Sequence, residues 1–138
     1  MLCTWIVVAD SSRARFFSMK SRLDPLTEIQ CMSHLESRGH AYDDFDEYHG
    51  NLGQGVHTFE THSDLKQSEA DVFAKQIADR LEQGRVKHEF NNLILVAPPA
   101  FLGALRHGIN DHVFDYISES LDKNLVVERE EVIRHHLF

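Results

Sequence analysis

The sequence predicts a three-layer α/β domain: a mixed five-stranded sheet ordered 3-2-1-4-5 with helices on both faces. Two apolar runs carry that expectation, Trp5-Ile6-Val7-Val8-Ala9 and Asn92-Leu-Ile-Leu-Val-Ala97. Neither run alternates with polar residues, which is the pattern of strands covered on both faces. The third observation is the order of elements. Strand-like segments come first and helix-like segments then alternate with strands, giving an antiparallel trio followed by two right-handed crossover units.

Each element has its own signal. After the first strand, Asp10-Ser11-Ser12-Arg13 reads as a tight turn, because short side-chain oxygens can accept from backbone amides two or three residues on. Ala14 to Met19, with Phe16 and Phe17, pairs back as a hairpin, and Leu26 to Leu35 alternates imperfectly as a third strand. Ser63-Asp64 is expected to cap a helix that sets Leu65, Val72, Phe73, Ile77 and Leu81 on one face and closes near Gly84. Pro98-Pro99 stops the second buried strand and opens a helix carrying Phe101, Leu102 and Leu105, which Gly108 breaks or kinks. Ile109, Val113, Phe114, Ile117 and Leu121 predict a further helical stretch. Asn124 to Val127 then reads as a short strand, and Glu128 to Leu137 as a last helix with Val132, Ile133, His136 and Leu137 inward. The order βββαβαβα is a ribonuclease-H-like layout.

Residues 36–64 break this regularity. Gly39, Gly50, Gly53 and Gly55 are interleaved with Asp43, Asp44, Asp46 and Glu47 and with histidines from His34 onward, without periodicity. Loops this long inside a compact domain are usually functional, so 36–64 is the expected functional loop. The remaining pattern fits one domain over 1–138, a length that builds one ordinary core.

The formal charge is −8, so the average surface repels phosphate and any RNA contact must be local; no DNA partner is expected. Ten histidines make that charge sensitive to mild acid. Cys3 and Cys31 lack the pairing of a zinc site and read as reduced, packed thiols. Met1-Leu2-Cys3-Thr4-Trp5 has no basic leader and no run approaches the ~20 apolar residues of a membrane span, so a cytoplasmic chain without membrane contact is expected. Its oligomeric state is not set by any pattern.

Four segments carry a family likeness: Trp5-Ile-Val-Val-Ala-Asp-Ser-Ser-Arg-Ala-Arg15, Gly53-Gln-Gly-Val-His57-Thr-Phe-Glu60, Phe73-Ala74 and Ala97-Pro-Pro-Ala-Phe-Leu-Gly-Ala-Leu-Arg106. Together they resemble the bacterial host-attachment-protein family, nearly end to end. That family is similar to the middle domain of archaeo-eukaryotic peptide release factors and Pelota, where a strand ending in Ala-Asp, a hairpin, a long loop and a helix follow in this order. The resemblance implies a role near translation. In release factors the loop bears Gly-Gly-Gln; here Leu52-Gly53-Gln54 stands at the corresponding place, with Leu52 where the first glycine would be. The family name implies attachment to host cells, but the sequence shows no export signal or anchor, which favours an indirect cytoplasmic role.

Candidate site residues are Asp10, Arg13, Gly53, Gln54, His57 and Arg106. Asp10 and Arg13 follow one central strand. Arg106 is expected near the N-terminus of the helix after the other, where anions bind. Adjacent parallel strands would bring the three to one edge, either as a binding site or with Asp10 capping its turn and Arg106 paired to it. The main reading is a non-catalytic protein binding RNA, the ribosome or another protein through its loop. The alternative is an ester or phosphodiester hydrolase, peptidyl-transfer-RNA hydrolase-like or a metal-dependent nuclease, with Gln54 or His57 positioning water and Asp10 nearby. No strand-four carboxylate follows Leu93-Ile94-Leu95-Val96, and His57, Glu60, His62, His135 and His136 lack a metal-ligand spacing. No cofactor or metal is therefore expected.

Overall fold

The computed structural model describes the backbone of residues 3–34 and 55–138, and the side chains of 3–34 and 68–138. Its five strands are β1 (Thr4–Ala9), β2 (Arg13–Met19), β3 (Thr27–Ser33), β4 (Asn92–Val96) and β5 (Ile117–Leu121). The helices are α1 (Gly55–Val86), α2 (Pro99–Gly108), the single turn α3 (Asp111–Phe114) and α4 (Glu130–Leu137). The strands form one sheet in the order β3-β2-β1-β4-β5. β1 and β4 run parallel at its centre, while β2 and β3 are antiparallel. The expected α/β class and strand order are both observed.

Every residue of β1 is buried, and its side chains divide between two cores by the period of two. Trp5, Val7 and Ala9 join Leu93 and Leu95 under α1 and α2, against Phe73, Ile77, Leu81, Phe101 and Leu105. Ile6 and Val8 join Ile94 and Val96 on the other face, under Leu125, Val126 and Ile133 of α4 and the segment before it. An apolar run without alternation thus serves two cores at once, which explains why it is continuous.

Several boundaries differ from the sequence reading. α1 begins at Gly55, so residues 55–64 belong to a helix and the expected 36–64 loop is shorter; residues 36–54 lie outside the described ones. Gly84 does not end α1. A Cβ there would sit 2.9 Å from both Phe90 Cε1 and Trp5 Cη2, so this glycine serves a close approach of helix to strand. The helix stops instead through His88, whose φ of 58° supplies the left-handed residue, with Glu89 N donating to Gly84 O at 2.8 Å.

The last strand is also displaced. The periodicity through Ile117 and Leu121 suggested a helix, but Asn110 caps only one turn, Oδ1 accepting from Val113 N at 2.8 Å. Ile117–Leu121 then pairs with β4, and Leu125 and Val126 of the expected strand are buried plugs beneath α4. Apolar spacing over so short a stretch fits either period. Val72 and Phe114, expected inward, are about half exposed at 48% and 50%. Cys31, expected packed, is exposed because β3 is the sheet's edge strand; Cys3 is half-buried.

Candidate functional site

Parallel pairing sends the carboxyl ends of β1 and β4 to one edge of the sheet, and antiparallel pairing brings the start of β2 and the end of β3 there too, Arg13 opposite Ser33. Ligands bind at this edge in open α/β sheets. Asp10 follows β1 and its Oδ1 accepts from Ser12 N at 2.9 Å, Ser12 Oγ at 3.1 Å and Arg13 N at 2.8 Å. The carboxylate thus holds the turn. Arg13 reaches Val126 O at 3.4 Å, beside Arg15, which donates to Val126 O at 2.9 Å and Glu128 O at 2.6 Å. Both guanidiniums stitch β2 to the segment leading into α4.

The expected convergence of Asp10, Arg13 and Arg106 is not observed. Arg13 turns toward the α4 face, whereas α2 covers the opposite one. Arg106 lies in the last turn of α2, not near its N-terminus, because about two helical turns separate it from Pro99. There it is exposed and complements the carboxyl end of the helix dipole. Among the described residues it has no hydrogen-bond or ion-pair partner, so the expected pairing with Asp10 is absent.

Gly53 and Gln54 lie outside the described residues, and so does the side chain of His57. The backbone of His57 belongs to the first turn of α1. Phe73 of α1 packs at the carboxyl edge, against His34 and Phe101, while Gly84 meets Trp5 near the amino end of β1. At 1.5 Å per residue, His57 is about 24 Å further along the helix than Phe73. The two ends of the candidate set are therefore well separated.

Sequence reasoning missed His34. It is 3% exposed, its backbone N donates to Ser12 O at 2.9 Å, and its ring stacks on Phe73 with centroids 5.2 Å apart. Among the described residues its buried Nε2 has no hydrogen-bond partner, a state that costs about 1–3 kcal/mol if nothing satisfies it. The sequence places His34 inside the expected third strand, Leu26 to Leu35, and carries no signal that its ring is buried.

α2 opens on this edge with Pro98 as N-cap and Pro99 at its first position, and no side chain caps it. The edge therefore combines a committed carboxylate, an unpartnered imidazole nitrogen and an uncapped helix start. Among the described residues no His, Cys, Asp or Glu cluster could hold a metal ion. A family model described as "Protein required for attachment to host cells" matches residues 5–137. The chain belongs to that family. The match runs from Trp5 in β1 through α4, so the host-attachment family includes the sheet, the carboxyl edge and both cores. No curated protein matches the chain. Among the described residues no helix is long and apolar enough to cross a membrane.

Proposed function

We propose that this host-attachment-family chain is a non-catalytic binding protein, and that it engages RNA or the ribosome locally through residues 36–64 and the flanking carboxyl edge of the sheet. The observation that carries binding over hydrolysis is the state of Asp10. One carboxylate oxygen already accepts three hydrogen bonds that build the β1–β2 turn, which favours a structural role over metal or water chemistry.

The RNA reading rests on narrower support. The order strand, hairpin, long connection and helix is similar to that of release-factor middle domains, with Gly53-Gln54 just ahead of α1. Arg106 adds an exposed cation with no ion-pair partner among the described residues, on a chain of charge −8. Phosphate contact by such a chain is confined to a few positions.

The test is filter retention of a labelled single-stranded RNA by wild type, Arg106→Ala and His57→Ala at about 50 and 200 mM salt. Losing one phosphate contact reduces the salt slope by about one, and Arg106→Ala is expected to do so. Unchanged retention in both variants, with melting temperatures intact, sinks the RNA proposal.

A further inference from the structure

At the opposite edge of the sheet, the β2–β3 turn and α4 enclose a groove of about 240 Å³ lined by Leu23, Pro25, Leu26, Glu130, Glu131 and Arg134. Its floor is apolar: Leu26 belongs to the core, and Leu23 stands 90% exposed at the rim. The two arginines at the groove are held on main-chain carbonyls and an aromatic ring, not on its carboxylates. Arg134 donates through Nε to Asp24 O at 3.2 Å and through Nη2 to Arg22 O. Arg22 in turn lies over the Phe138 ring, 5.3 Å from its centroid. Glu130 and Glu131 have no ion pair among the described residues. Their place in the first turn of α4 suits the helix dipole, but does not account for the uncovered leucine beside them.

We propose that this groove docks a peptide segment of a protein partner in which a bulky apolar side chain is flanked by Lys or Arg. The volume suits one large side chain on Leu26 and Pro25, with Leu23 closing over it. Flanking cations then meet Glu130 and Glu131, and the net charge of −8 steers them in. Charge complementarity selects a basic peptide over RNA or an anionic membrane, since both would bring negative charge to two unpaired carboxylates.

The probe is acetyl-Lys-Leu-Lys-amide, titrated into the intact chain and followed by amide chemical shifts, with acetyl-Glu-Leu-Glu-amide as its counterpart. The basic peptide is expected to shift the amides of Leu23, Leu26 and α4 and to bind at least about fivefold more tightly than the acidic one. Glu130→Gln with Glu131→Gln is expected to remove that preference, and Leu23→Ser to weaken both peptides equally. Both variants alter exposed or rim groups and melt near wild type, which a thermal scan checks. No shift at the groove with either peptide, equal affinity for the two, or preferential shifts there with a labelled RNA would overturn the proposal.

Discussion

The two ends of β1 are built differently. At the amino end, Trp5 sits edge-on to Phe16 and tilted on Phe90, with Gly84 beneath it and Arg80 over its face at 4.9 Å. Arg80 is itself paired, to Gln30 at 2.7 Å and Glu89 at 3.2 Å, so the cation over Trp5 is matched. At the carboxyl end, Asp10 holds its own turn, His34 Nε2 is buried without a partner among the described residues, and α2 starts without a side-chain cap. Among the described residues, the buried side-chain polar atom without a hydrogen-bond partner, His34 Nε2, lies at the carboxyl edge. Under the binding role proposed above, the end that carries this cost is the working end and the other is the structural one.

The largest expected effect is at the structural end. Gly84→Ala pushes a methyl to 2.9 Å from two aromatic rings and should cost about 2–3 kcal/mol, a fall in melting temperature of roughly 10 °C. A melting point within a degree or two of wild type would break the contrast. Arg15→Met comes next. It removes two carbonyl bonds and the ion pair to Glu28 for about 2 kcal/mol, and should leave RNA retention per folded molecule unchanged.

A smaller effect is read by pH. Arg85, and then Asn110, bond the Glu82 carboxylate and hold its pKa down from the usual 4.5 to about 2. Asn110 reaches Glu82 Oε2 at 2.7 Å and so links α1 to the start of α3. A lowered folded-state pKa means the stabilisation is complete above about pH 4.5 and fades as the pH falls toward 2. The melting-temperature gap between wild type and Glu82→Gln should close over that window, and a gap independent of pH would contradict the pairing. The smallest stability effect is expected for His34→Phe, which replaces the unpartnered nitrogen with an apolar ring stacked on Phe73. Its melting point should match or slightly exceed that of wild type, while RNA retention falls if the edge is the working end.

The sheet was readable from sequence because its central strands are apolar on both faces, a pattern that few other elements share. The strand order followed from that and from the alternation of elements. Gly84, His88 and the β5 boundary were not readable, because each depends on what packs across from it. Gly84 looks like a stop until Trp5 and Phe90 are placed against it, and Ile117–Leu121 looks helical until β4 offers an edge. At the candidate site, the turn-capping role of Asp10 was foreseen, as a local hydrogen-bond pattern can be. His34 was not, since burial of one histidine among several is a tertiary fact, and Arg106 falls at the far end of α2 because about two helical turns separate it from Pro99.

Melting and RNA retention measured together on Gly84→Ala and His34→Phe test the division between the two ends most directly. The account predicts that Gly84→Ala melts lower yet retains RNA normally per folded molecule, and that His34→Phe melts at or slightly above wild type yet loses retention. A stable Gly84→Ala that fails to retain RNA, or a His34→Phe that retains it fully, would contradict it.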